Sequence, residues 1–519
     1  MNDWTGRGSQ TAQEESDIGI QNISRSIELW SLLGVVLVTA VLRLLILGGD
    51  ARIIPTDGTS FMEIAKNIAN NFSFYHSTFT PGYPMWVALF QKLTGVEWVV
   101  AGQWTSFIFS MLLLLPLYSI FRRCVSVPGA IFGLLFYACL PLWVEFGSEA
   151  QTMAVGSFWF FLAFALCLRA VTHHDNRIVV LLAAGASLGL AALTRPELLV
   201  AALVFPLWMI YRSKEKSLMA RPWLVLLACF TVYAPYVVML HDHTGDWKIS
   251  MKSEITQQNA MAVGQQNFHE AREQNLQSSS EKFSTGLLSF WLSDPLATLK
   301  RIATNGYLMH EYMWPEQFPV MLTFFLALGL VVSRSQNMDV LWVVSLVYLP
   351  SATFLLDARI MLPWATPFLA WAGAGAWFLL QRNRLIGSAV VACAVILLMG
   401  SALHSMRQSN EDIAARYAGD WLRGETNKAE GYVWSRKPWV AFYAGMKHRQ
   451  LPRDAELDLF VQPMSSGDWL VVDSRHFSKA RPMVYTQIFA GKVHPRLILI
   501  HQFKGPDGHM LNLYQLGKK

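Results

Sequence analysis

Four charged side chains stand where a largely apolar chain tolerates charge least. Arg52 and Asp57 lie in the polar segment Arg52-Ile53-Ile54-Pro55-Thr56-Asp57-Gly58, directly after the apolar stretch Leu29–Leu47. Arg195 sits in Leu193-Thr194-Arg195-Pro196-Glu197, between two short apolar runs, and Arg359 sits in Arg359-Ile360-Met361-Leu362-Pro363 at the edge of a late one. Charge beside a bilayer boundary is costly unless it has a partner or a task. An aspartate so placed suits proton removal from an incoming nucleophile. Guanidinium presents paired donors matched to an oxyanion and keeps its charge in a low-dielectric site. Each group also has a plainer role open to it: Asp57 as the cap of a helix over Thr59 to Asn70, the arginines as side chains snorkelling to headgroups.

The elements that must position these groups are apolar spans. Of 519 residues, 53% are hydrophobic and 15% charged, and the mean hydropathy is +0.31, which excludes an ordinary soluble protein. Stretches of bilayer-crossing length are expected near 28–47, 96–120, 126–145, 153–171, 178–193, 197–211, 222–240, 319–333, 338–356, 364–380 and 385–403, about eleven helices by span length. The pair 178–193 and 197–211 is short enough to be re-entrant. The first span follows a polar tail, residues 1–27, and has no small-residue cleavage site after it, so it reads as a retained helix.

The basic residues set the expected orientation. With the N-terminus cytoplasmic, the inner loops collect Arg122, Arg123, Arg169, Arg177, Arg212, Lys214, Lys216, Arg221, Arg334, Arg382 and Arg384. The short outer loops hold isolated cations: Arg52, Lys66, Lys92, Arg195 and Arg359. The net charge of +6 is therefore mostly topology signal and argues against a nucleic-acid partner. Cys124, Cys139, Cys167, Cys229 and Cys393 all fall in or beside apolar spans and fit small core residues, with neither a disulfide framework nor a zinc spacing.

Three parts follow from this orientation: the tail 1–27, a membrane domain 28–403 with outer loops 48–95 and 241–318, and an outer domain 404–519. The loop 241–318 turns from a Gln/Asn-rich stretch into amphipathic sequence, with a helix expected over Leu296 to Tyr307, His310 and Glu311 at its end, and an aromatic cluster at Tyr312, Trp314 and Phe318. Such helices suit the membrane interface. The outer domain alternates helices (Asp412–Leu422, Pro438–Met446) with strands (Gly431–Trp434, Trp469–Asp473, Leu497–Gln502, Met510–Tyr514), which implies a small α/β layer.

Taken in order, Asp57, then Ala65, then Pro81-Gly82-Tyr83-Pro84, the Thr194-Arg195-Pro196-Glu197 element, and Arg359 with Pro363 and Pro367 form a pattern that resembles the bacterial GT-C glycosyltransferases. These are related to dolichyl-phosphate-mannose protein mannosyltransferases and to the aminoarabinose transferase of lipid A. The resemblance spans nearly the whole chain and implies a GT-C membrane fold with an extracytoplasmic α/β tail. It implies transfer of a sugar from a polyprenyl-phosphate donor to an envelope lipid, polysaccharide or protein, at the outer face of a bacterial inner membrane. Asp57 would then be the base, with Arg52, Arg195, Arg359 and His310 around the donor phosphate. Two departures stand out: Gly58 follows Asp57 where the family often has a second acid, and Gln151-Thr152-Met153 occupies a point where many members carry one. The second carboxylate is left between Glu149 and Glu63. A divalent ion, Mg or Mn, is the one cofactor the resemblance admits. The alternative class, a transporter or flippase of envelope lipids or glycans, would show internal repeats and broken midplane helices, whereas here the charges gather at span ends.

Overall fold

The computed structural model describes residues 24–47, 53–172, 177–213, 221–252, 256–257, 260, 287–333, 337–354, 358–408, 412–425, 431–452, 456–489, 494–506 and 508–517. Arg52, Asp357, the His173-His174-Asp175 cluster and most of the Gln/Asn-rich stretch lie outside these residues.

Each apolar stretch in the sequence is helical. Among the described residues five helices are long and apolar enough to cross a membrane: Arg25–Leu47, Trp98–Cys124, Met153–Thr172, Trp223–Thr244 and Arg384–His404. Shorter apolar helices stand at Val127–Cys139, Ile178–Thr194, Val320–Val332 and Asp339–Thr353. The chain is a multi-pass membrane protein. Because lipid is as apolar as the side chains, helices here associate through close backbone approach, which small residues permit. A Cβ at Gly329 would lie 1.8 Å from the Trp371 carbonyl oxygen, one at Gly375 2.0 Å from that of Phe325, and one at Gly373 2.1 Å from that of Gly129. The helices Val127–Cys139, Val320–Val332 and Phe368–Arg382 therefore touch backbone to backbone.

A charge is fully buried inside this bundle. Arg43, in the first span, is fully inaccessible. Its Nε donates to Ser110 Oγ at 2.6 Å, its Nη1 donates to the Thr39 and Ala138 carbonyls at 3.3 Å, and the guanidinium lies 5.2 Å over the Tyr137 ring. It ties three helices together near the break at Leu140.

The C-terminal residues form a five-stranded mixed sheet in the order β2-β1-β3-β5-β4, with β1 at Tyr432–Ser435, β2 at Lys447–Gln450, β3 at Trp469–Asp473, β4 at Leu497–Lys504 and β5 at Met510–Leu516. β1 pairs in parallel with β2 and β3, and β5 runs antiparallel to β3 and β4. β2, Lys-His-Arg-Gln, has no apolar alternation and is a strand only because β1 offers it a hydrogen-bonding edge. The buried Asp468 carboxylate accepts from the Tyr432 and Ser465 amides and from the Trp434 indole, fixing the β1 and β3 ends. The sheet side does not stand apart from the membrane side. Ala414, Ala418, Leu422, Trp439 and Tyr443 share one apolar core with Ile54, Phe61, Met62 and Tyr83 of the first loop region, and the Ile54 amide donates to the Tyr443 hydroxyl at 2.9 Å.

Candidate functional site

A cleft of about 610 Å³ opens where several helix ends converge. Its charged lining is Asp57, Arg195, Glu197, Lys252 and Arg359, with Phe61, Phe79 and Gln151 among its walls.

Asp57 stands in the first turn of the helix Thr56–Asn71. The cap position belongs to Pro55, which makes no side-chain cap bond, so the carboxylate is left to face the cleft at a helix end that favours negative charge. Gly58 explains the missing acidic neighbour: a Cβ there would meet Ile54 Cγ1 at 2.7 Å and the Ala150 carbonyl oxygen at 3.0 Å. Only glycine lets this helix press against the Ala150 turn that carries Gln151.

Arg195 is delivered by the end of the helix Ile178–Thr194 and by Pro196, which opens a one-turn 3-10 segment. Its residue is 7% exposed; Nε and Nη2 both donate to Glu197 Oε1, at 2.7 and 2.5 Å, and Nη1 lies 3.1 Å from Met153 Sδ. The aliphatic stem crosses Gly156, where a Cβ would come within 2.9 Å of it. The Pro81-Gly82-Tyr83-Pro84 element backs this arrangement. A Cβ on Gly82 would lie 2.4 Å from backbone atoms of Leu193 and Thr194, Thr80 Oγ1 donates to the Thr194 carbonyl at 3.2 Å, and the buried Tyr83 hydroxyl donates to the Gly102 carbonyl at 2.8 Å. Tyr83 shapes the wall and does not line the cleft.

Arg359 begins the helix Ala358–Ala365. Its position is held by the helix Pro295–Leu308 and the short helix Trp314–Gln317 that follows: the buried Asn305 Nδ2 donates to the Ala352 carbonyl at 2.7 Å and to that of Phe354, and the buried Gln317 Nε2 donates to the Ala358 carbonyl at 2.7 Å. The amphipathic segment expected at the interface thus clamps the backbone on both sides of Arg359.

Lys252 is a residue that sequence reasoning missed. It follows Ser250, whose hydroxyl accepts the Lys252 amide, and its Nζ reaches 5.4 Å over the Phe79 ring. Phe79 is set in turn by His76, whose Nδ1 accepts the Thr78 and Phe79 amides at 3.1 Å. Burial holds the His76 imidazole below its usual range, opposed by the Glu63 carboxylate. Nothing in sequence spacing marks Lys252, because it sits at the start of a Gln/Asn-rich stretch without apolar periodicity.

The other expected site residues fall elsewhere. His310 is exposed on the π-turn Met309–Met313 and is absent from the cleft lining. Glu63 is exposed on the helix Thr56–Asn71. Glu149 is half-buried beside the cleft, where its Oε2 accepts from Gln151 Nε2 at 3.2 Å. The carboxylate that shares the cleft with Asp57 is Glu197. Among the described residues no group of three His, Cys, Asp or Glu side chains could hold a metal ion, and Glu197 is already engaged by Arg195. This donor set does not fit a divalent ion.

Residues 78–239 match the family model of the dolichyl-phosphate-mannose-protein mannosyltransferases. Comparison with curated proteins gives no match. Among solved structures, ArnT from Cupriavidus metallidurans bound to undecaprenyl phosphate superposes with a TM-score of 0.57 at 12% identity, over 95% of this chain and 98% of that one. The Archaeoglobus fulgidus oligosaccharyltransferase, in complex with zinc and sulfate, gives a TM-score of 0.58 at 12% identity, over 94% of this chain and 73% of that one. The oligosaccharyltransferase AglB from Archaeoglobus fulgidus, in complex with an inhibitory peptide and a dolichol-phosphate, gives 0.53 at 12% identity, over 94% of this chain and 74% of that one. The chain therefore has the fold of the GT-C glycosyltransferases, as the order of its motifs leads one to expect.

Proposed function

We propose that this protein is an integral membrane glycosyltransferase that moves a sugar from a polyprenyl-phosphate donor to a cell-envelope acceptor on the extracytoplasmic face of a bacterial inner membrane. The observation that carries this reading is the cleft itself: four segments far apart in sequence bring the Asp57 carboxylate, the Arg195–Glu197 pair, Lys252 and Arg359 to a single cavity at the ends of membrane helices. The known structures of this fold that carry undecaprenyl phosphate or a dolichol-phosphate support the donor class.

Asp57 accepts the proton of the acceptor hydroxyl or amine as that heteroatom bonds to the anomeric carbon of the donor sugar. The bond from that carbon to the phosphate oxygen breaks, and its electron pair leaves with the polyprenyl phosphate. Arg359 and Lys252, which line the same cleft, counter the charge that develops there, and Glu197 orients Arg195 toward the same space. Phe61 and Phe79 supply an apolar wall against which the lipid-proximal end of the donor packs.

The test is the purified chain in detergent with synthetic polyprenyl-phosphate sugars and an envelope extract, following free polyprenyl phosphate. Release that depends on the extract is expected. Movement of a labelled donor lipid across a reconstituted bilayer with no release from any donor would replace the transferase with a flippase.

A further inference from the structure

The outer sheet contains a second cavity, unconnected with the proton transfer above. β1 leads through the helix Trp439–Ala444 to β2 on one side, whereas β2 leads through the helix Leu457–Val461 to β3 on the other side of β1. The chain thus reverses its direction of travel between β1 and β3, both of which run the same way. In open α/β sheets ligands bind outside the carboxyl ends of the strands at such a reversal. A shallow, solvent-open crevice lies at this place, lined by Ser435, Arg436, Lys437 and Trp439 at and after the end of β1 and by Asp473 and Phe477 at and after the end of β3.

Its chemistry is mixed. Trp439 is 6% exposed, and its indole N–H has no acceptor among the described residues. Leaving a buried donor unmade costs on the order of 1–3 kcal/mol, which a ligand oxygen would recover. The cations are balanced by acids: Lys437 Nζ lies 3.3 Å from Asp412 Oδ2 and 4.1 Å over the Trp439 ring, and Asp473, whose Oδ1 accepts the Arg475 amide at 2.8 Å, shares the lining with Arg436. Donors, a carboxylate and an apolar floor, with no cationic excess and no glycine-rich loop, suit a polyhydroxylated ligand better than a phosphate. The crevice also communicates with the cleft. The helix that starts at Trp439 carries Tyr443, which accepts the Ile54 amide, and Phe442, over whose ring Lys66 Nζ lies at 5.5 Å; both partners flank Asp57 in the first outer loop.

We infer that the crevice at the carboxyl ends of β1 and β3 binds a saccharide unit of the acceptor, an inference that rests on the transferase reading. A sugar held there by Trp439, Arg436 and Asp473 anchors the acceptor one helix away from the loop that presents Asp57.

The experiment uses the full chain in detergent and, as probe, the glycan fraction of the host envelope freed of its acyl chains by mild alkali. The glycan should raise the melting temperature of the parent, and Trp439→Phe and Asp473→Asn should each lose that shift, read against each variant's own unliganded melting temperature. In the transfer assay both variants should show an acceptor KM raised about tenfold, as for one lost hydrogen bond, with kcat at saturation within twofold and the donor KM unmoved. A glycan shift equal in parent and variants, or no shift in the parent, would overturn the crevice. Protection by inorganic phosphate alone would reassign it to an anion. Absence of lipid-phosphate release by the parent, with the glycan shift intact, would sink the transferase reading and leave the saccharide site standing.

Discussion

Asp57 owes its availability to its neighbours. Pro55 takes the cap position and Gly58 admits the Ala150 turn, so the carboxylate is exposed to the cleft and has no helix end to cap. Asp57→Asn should insert and bind donor lipid normally and lose about two to four orders of magnitude in transfer rate, the usual cost of a missing general base; retention of activity within a few fold would move the base to Glu197. Arg359 separates two roles for a span-end cation. If its fork holds the leaving phosphate, Arg359→Lys should keep part of the donor affinity yet lose about tenfold or more in turnover, and Arg359→Ala about a hundredfold or more. A snorkelling residue would tolerate lysine fully, so equal rates for the parent and Arg359→Lys, measured as lipid phosphate release, would remove it from the site. Arg43 belongs to the same scale. As a fully buried cation served by neutral oxygens, it is an internal fastener that hydropathy alone passes over.

At the scale of elements, the cleft walls are held by close approach. Gly82 lies so near Leu193 and Thr194 that a methyl there must displace backbone rather than a flexible side chain. Gly82→Ala should therefore shift the strut that carries Arg195, lowering kcat by about a hundredfold, as a displacement of roughly 1 Å can, together with a lower melting temperature. Gly34→Ala is the control: nothing stands within 4 Å of its Cβ position, and alanine favours the helix. The His76 turn gives a pH signature. Its folded-state pKa lies below the unfolded value of 6.5, so the stability it contributes is present above that pH and is lost as pH falls through 6.5 toward the lower folded value. Protonation puts a hydrogen on the nitrogen that accepts the Thr78 and Phe79 amides. Hydrogen exchange at these two amides, corrected for the intrinsic rate, should accelerate across that window in the parent and show no such step in His76→Asn.

For the whole molecule, the open question is sidedness. The cation asymmetry of the loops predicts that Asp57, the helix Pro295–Leu308 and the sheet share one face, and the shared core of Ile54, Phe61, Trp439 and Tyr443 requires the first loop and the C-terminal region to be on the same side. Ser466 is exposed on that region. Ser466→Cys, in a background with Cys393, the one exposed native cysteine, replaced by Ser, should react with an impermeant maleimide in intact spheroplasts. Reaction only after lysis would invert the topology and take the proposed site to the cytoplasm.

The division of labour between sequence and tertiary structure follows from what each interaction depends on. Hydropathy over some twenty residues is a local sum, so the positions of the helical stretches were legible directly, as were most strands of the outer sheet, including Trp469–Asp473 to the residue. Charge at span ends marked Asp57, Arg195 and Arg359 for the same local reason, and one cleft holds all three. β2 was not legible, since a polar tetrapeptide becomes a strand only when β1 provides its partners. Nor was Lys252, which reaches Phe79 across 173 positions of chain, nor the presence of Glu197 in the cleft lining, which depends on how the Arg195 turn packs against Met153 and Gly156. The local pattern decided what each segment is; contact between distant segments alone decided which of their charges meet.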